Sequence, residues 1–146
     1  MESIKAPYLR EEGPIIPITL KPIPEYISAL RDRGDIPKEL IVKALIDTGA
    51  SFSAVAESVA GITMGLLPTG AVEVWTIIPG HQYLPVYPIQ LVMPDYGVET
   101  VMDFIGVPEM FPNVGVILGR DFLEKCIFNY DGIGTSFTLR CLFNKQ

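Results

Sequence analysis

One stretch of the chain concentrates residue types able to do chemistry: Leu45-Ile46-Asp47-Thr48-Gly49-Ala50-Ser51. An Asp closes an apolar run there, in a place where a bare carboxylate is costly to desolvate. Thr48 brings a hydroxyl that can lock a loop. Gly49 lets the chain turn and lets its backbone N–H approach the carboxylate. Ala50 is too small to block the floor beneath. Together these residues suit the rigid presentation of a single carboxylate in a dry cleft. A second stretch, Val116-Ile117-Leu118-Gly119-Arg120-Asp121, complements the first. Apolar residues followed by Gly let another strand cross close beneath the Asp loop, and a helix starting near Arg120 would back it.

Other chemistries find less support. Ser51 could serve as a nucleophile, but His81 is the only histidine and nothing in the sequence sets it near Ser51, so a Ser-His-Asp triad is disfavoured. His81 reads as structural rather than as an acid or base. Cys126 and Cys141 have neither Cys-x-x-Cys nor Cys/His zinc spacing and read as two buried thiols of a reducing compartment. Asp95, Glu99, Asp103 and Glu109 read as solvated carboxylates; Asp103 and Glu109 lack the spacing of a calcium loop, and no metal site is expected. Asp121 falls in a first helical turn, where negative charge is favourable.

The elements that must position these residues are mostly strands. The chain has 146 residues, enough for one domain over 1–146, and thirteen Gly and thirteen Pro argue for many turns. Residues 1–13 read as an N-terminal arm, loose through Arg10. Residues 14–20 (PIIPITL) read as a strand whose prolines suggest a sheet edge. Residues 22–38 read as an inserted surface segment with a short helix opened by Pro24 and stopped by Gly34. Residues 39–46 form a buried strand feeding the Asp loop. Strands at 71–78 and 82–93 flank Pro79-Gly80-His81 as a hairpin. Further strands are expected at 97–105 and 115–118, a helix over 120–126, and a final hairpin turning at Asp131-Gly132.

Net charge is −6 and the pI about 4.7, with no basic stripe of the kind a nucleic acid requires. No apolar run approaches the ~20 residues that span a bilayer. Met1-Glu2-Ser3-Ile4-Lys5 is not followed by the apolar core of a signal sequence, so a soluble cytoplasmic protein is expected.

With these residues in view, the chain resembles the retropepsin-like aspartic proteases, single-lobed relatives of pepsin. Leu45 to Ala50 matches their apolar-apolar-Asp-Thr-Gly-Ala motif, and Ile117-Leu118-Gly119 their second mark before a helix. The hairpin between them, about 72–86, matches the flap. The resemblance covers residues 14–142, with the inserted segment extra. It implies a closed β-barrel with a flap hairpin and one short C-terminal helix. It implies an endopeptidase acting as a homodimer, in which Asp47 meets Asp47 of a second copy, the close pair shares one proton, and the dyad activates a water without metal, cofactor or covalent intermediate. Thr48 would bond across the two-fold axis and Gly49 would offer its carbonyl to substrate. Ile117, Leu118, Gly119 and Arg120 would support the loop. An extended peptide would bind as an added strand beneath a flap carrying Trp75, Ile77, Ile78, Pro79, Gly80, His81 and Tyr83, with Trp75 equally readable as core.

Two features depart from the pattern. Many viral relatives carry an Asp where this chain has Ser51, which leaves Arg120 to pair elsewhere, within its own segment or across the dimer. The flap lacks a Gly-rich tip, and Pro79 stiffens it. These departures motivate an alternative: the same fold used as a non-proteolytic dimerisation or peptide-binding module.

Overall fold

The computed structural model describes residues 3–75, 81–108 and 110–143, and of Trp75 the backbone alone. In chain order it runs β1 (Ile4–Lys5), α1 (Leu9–Glu12), β2 (Ile15–Lys21), α2 (Pro24–Asp32), β3 (Leu40–Ile46), β4 (Ala54–Ala56), β5 (Gly70–Trp75), β6 (His81–Met93), β7 (Val98–Val107), β8 (Val116–Leu118), α3 (Arg120–Leu123), β9 (Cys126–Asp131) and β10 (Ser136–Cys141). A π-helical turn at Ser58–Thr63 and a 3-10 turn at Pro94–Tyr96 fill two connections.

The main sheet has the order β2-β3-β8-β4-β7-β6-β5, and β2 also pairs with β6. That extra pairing closes six strands into a barrel and leaves β5 attached only to β6. Alternation selects the interior. Ile16, Ile18 and Leu20 of β2 and Tyr87, Ile89, Leu91 and Met93 of β6 point inward and are buried, while their neighbours face out. The parallel β3–β8 pair aligns Ile46 with Leu118, which sets the two motif stretches side by side. A second sheet, β1-β10-β9, packs Phe137 and Leu139 onto the same core.

Three sequence readings change. Strand β2 is an edge over its first half only: β3 covers its length, and among the described residues β6 pairs with Thr19, Leu20 and Lys21. Pro17, the one proline within β2, lies on that open half for a geometric reason. The Ile46 N–H donates to the Pro14 carbonyl at 2.9 Å, so hydrogen-bonded pairs alternate from there and Pro17 falls at a non-bonded position. Its missing N–H therefore faces away from β3, on a side that β6 does not reach. The helix expected over 120–126 is a single turn, because Cys126 already pairs with Cys141 in the last hairpin. The N-terminal segment is tethered rather than loose: Ile4 and Lys5 pair with Phe137 and Ser136, and Leu9 is a buried core residue.

Within 22–38, α2 begins at Pro24 as its composition suggests, and Gly34 takes the left-handed φ of +79° that ends the helix. The segment is fastened to the barrel by buried Leu30 and by the Tyr26 hydroxyl, which donates to the Gly65 carbonyl. No helix among the described residues is long and apolar enough to cross a membrane.

Candidate active site

Strand β3 delivers Asp47 at its end, and the Asp47 N–H donates to the Leu118 carbonyl of the neighbouring strand at 2.9 Å. The chain then turns tightly. The Gly49 N–H donates to Asp47 Oδ1 at 2.9 Å and the Ala50 N–H to the Asp47 carbonyl at 3.3 Å. A charged acceptor fixed by a backbone donor is held in one orientation. Asp47 is half-buried, while Thr48 and Gly49 are exposed, so the loop presents its carboxylate toward open solvent.

The floor beneath the loop is tightly determined. A Cβ at Gly119 would lie 2.8 Å from the Ala50 carbonyl oxygen and 2.8 Å from the Phe52 carbonyl carbon and oxygen, all backbone atoms. Only Gly lets the strands cross this closely. Arg120 then grips the loop from below. Its N–H donates to the Ala50 carbonyl at 2.8 Å, Nη1 to the Thr48 carbonyl at 2.8 Å and Nη2 to Ser51 Oγ at 2.9 Å. The expectation that Arg120 pairs away from position 51 is overturned: the Ser51 hydroxyl, though neutral, takes its second guanidinium bond.

A cleft of about 940 Å³ opens beside the loop. It is lined by Ser51 and Phe52, by Val72, Val74, Leu84 and Val86 of β5 and β6, by Met102 and Ile105 of β7, and by Asp121, Lys125 and Phe143. Asp47 does not line it. Tyr83 is exposed and sits edge-on to His81 at 6.2 Å, outside the cleft lining. His81 opens β6, with Nδ1 2.9 Å from Glu73 Oε1 on the facing strand. Ile77, Ile78, Pro79 and Gly80 lie outside the described residues, as does the Trp75 side chain. Among the described residues, no three His, Cys, Asp or Glu side chains gather in a way that could hold a metal ion.

No protein-family model and no curated protein matches the chain. Two solved structures resemble it in fold. A retropepsin-like aspartic protease from Rickettsia conorii covers 86% of this chain and 91% of its own at 15% identity, with a TM-score of 0.50. The retroviral protease-like domain of Ddi1 from Leishmania major covers 70% of this chain and 86% of its own at 19% identity, with a TM-score of 0.48. The fold is retropepsin-like. On this retropepsin-like barrel, Asp47, Thr48, Gly49 and Ala50 make the loop, while Ile117, Leu118, Gly119 and Arg120 lie directly under it.

Two residues escaped the sequence reading. Ser53 is fully buried. Its Oγ donates to Asp121 Oδ1 at 2.7 Å and accepts the Gly119 N–H at 3.0 Å, and its own N–H reaches Asp121 Oδ2 at 3.0 Å. Asp121 also accepts the Phe122 N–H at 2.8 Å, so this carboxylate is a tie between α3 and the Asp loop more than a dipole partner. A lone Ser carries no sequence signal for such a role. Tyr87, at the base of β6, donates to Glu57 Oε2 at 2.8 Å. Burial, reinforced by the Glu57 hydrogen bond and charge and by Tyr26, pushes its phenol up to about 12.

Proposed function

We propose that two copies of this chain form an aspartic endopeptidase, with Asp47 of each copy as one half of a carboxylate dyad. The observation that carries the reading is the Asp47 loop: one oriented carboxylate at a strand end, braced from below, with Thr48 and Gly49 exposed beside it. One chain supplies half of the chemistry. A two-fold axis supplies the rest. Two carboxylates at close range hold one proton between them and titrate as a unit. The charged member takes a proton from a water placed between them, and the water oxygen attacks the peptide carbonyl. The protonated member polarises the carbonyl oxygen as charge develops there.

Thr48, exposed in the single chain, would bond across the axis and hold the two loops together. The Gly49 carbonyl would receive the substrate backbone. An extended peptide would lie as an added strand, with apolar side chains entering the cleft walled by Val72, Val74, Leu84 and Val86. The hairpin of β5 and β6, with Trp75, Ile77, Ile78, Pro79, Gly80, His81 and Tyr83 at its outer end, would close over it.

The test is incubation with a diverse peptide library between about pH 4 and 7, repeated with Asp47→Asn and with a statine-type transition-state analogue. Cleavage that vanishes in Asp47→Asn and is blocked by the analogue supports the assignment. Cleavage that persists unchanged in Asp47→Asn contradicts it. A dimer that binds peptides and never cuts them would make the fold a non-proteolytic module.

A further inference from the structure

Cys126 opens β9 and Cys141 ends β10, and the two stand directly opposite each other in the antiparallel pair. Both are free thiols, with their sulfurs 3.4 Å apart. The ladder fixes the kind of pair. The Leu142 N–H donates to the Lys125 carbonyl at 2.9 Å, so Lys125 and Leu142 are a hydrogen-bonded pair, and the next pair, Cys126 and Cys141, is a non-bonded one. Non-bonded pairs bring Cα atoms to about 4.5 Å and side chains closest together, inside the Cα range a disulfide accepts. A bond needs the sulfurs to close to about 2.0 Å, which small side-chain rotations provide without moving either strand.

We infer that Cys126 and Cys141 are a reversible oxidation site, a thiol pair that peroxide converts to an intrachain disulfide. The inference does not depend on the proteolytic reading. Cys141 is the attacking sulfur. The Cys126 S–H donates to it, and this hydrogen bond holds the Cys141 thiol below its ordinary range while raising that of Cys126. Cys141 is buried, but it borders a surface cleft of about 700 Å³ with Ser3, Ile4, Asp95, Tyr96 and Arg140, and Cys126 beside it is partly exposed.

The Cys141 thiolate attacks one peroxide oxygen, the O–O bond breaks, and the departing hydroxide takes a proton to become water. Cys141 is then a sulfenic acid. The Cys126 sulfur attacks that sulfur, the S–O bond breaks, and the oxygen leaves as a second water with the Cys126 proton. Two thiols lose two electrons and two protons, and one peroxide becomes two waters.

The site is wired to α3. The Cys126 S–H has a second acceptor in the Phe122 carbonyl at 3.5 Å, and Phe143, two residues past Cys141, stacks on Phe122 with ring centroids 5.0 Å apart. Oxidation removes that donor and ties the ends of β9 and β10 to each other beside the helix that carries Arg120.

The experiment treats the full chain with a small excess of hydrogen peroxide, then reads intact mass, non-reducing peptide maps and Tm. The expected result is loss of two hydrogens per chain, one crosslinked peptide joining Cys126 to Cys141, full reversal by dithiothreitol, and a Tm rise of about 5 °C in the oxidised form. In Cys126→Ser the same treatment should leave an oxygen adduct or a mixed disulfide at Cys141. Because that variant could fold poorly, the wild-type map decides by itself. Both thiols disappearing in step supports the pair. An oxygen adduct on one cysteine with the other still free, or crosslinks only between chains, overturns it.

Discussion

The floor under Asp47 and the hairpin of β5 and β6 are built on opposite plans. On the floor, backbone atoms from two distant stretches, 47–53 and 118–121, meet with no spare room. Gly119 has no space for a methyl group, Ser53 is buried with every polar atom engaged, and Arg120 reaches two acceptors on the loop. The hairpin is a two-stranded ribbon at its outer end. Strand β5 pairs with β6 alone, and Val72 and Tyr83 stand in solvent. The floor fixes a carboxylate to within a hydrogen bond, while the ribbon is held by the pairing of β5 with β6 and exposes side chains such as Tyr83. A site needs both: groups that do chemistry gain from preorganisation, while groups that admit and cover a ligand need an element with few anchoring contacts.

That contrast can be broken or sharpened by substitution. The largest effect is expected from Gly119→Ala, whose methyl group would strike backbone that cannot move aside; we expect a loss of about 3 kcal/mol or more by urea denaturation. Stability unchanged within error would mean that the floor is softer than its geometry implies. Ser53→Ala comes next. It strands the Gly119 N–H and removes a bond from Asp121, for about 2 kcal/mol, read as a lower urea midpoint at an unchanged slope.

Tyr87→Phe probes the root of the hairpin, where β6 enters the core. It should cost about 1 kcal/mol near neutral pH and change the alkaline behaviour. The wild-type phenol is raised from 10.0 to about 12. Between those values the unfolded chain sheds a proton that the folded chain keeps, so wild-type stability falls as pH rises through the window. Tyr87→Phe should fall less steeply there, and parallel pH curves for the two proteins would contradict the raised phenol, which burial and the Glu57 bond together account for. Tyr83→Ala, on the ribbon, should change stability by less than about 0.5 kcal/mol, with any effect confined to the KM for peptide. A loss as large as that of Ser53→Ala would erase the distinction between the two regions.

What the sequence disclosed follows the same division. The Asp47 loop and Gly119 were legible because tight turns and close crossings demand particular residue types in fixed order. A mostly-β chain was legible from strand runs and turn residues, while closure into a barrel was implied only by the family resemblance. Ser53 was not, since its partners lie 66 and 68 residues away and a single hydroxyl has no pattern. Pro17 marked an open edge correctly, but only for the first half of β2, because a proline carries no signal of the pairing that β6 makes with Thr19, Leu20 and Lys21. The helix after Gly119 was drawn too long because apolar spacing at Phe122, Leu123 and Cys126 is helical, yet strand pairing claims Cys126. The opposition of Cys126 and Cys141 was implicit in the final hairpin, since its turn determines which residues face each other; reading the register outward would have found the pair.

The claim everything rests on is that two copies each contribute one Asp47. It is tested most directly by mixing wild-type and Asp47→Asn chains at constant total concentration, allowing exchange, and measuring peptide cleavage. If each site needs two intact carboxylates, an equal mixture retains about a quarter of the all-wild-type activity, because random pairing leaves that share of dimers complete. Activity falling in simple proportion to the wild-type fraction would mean that one chain cuts alone, and the shared-dyad account would be wrong.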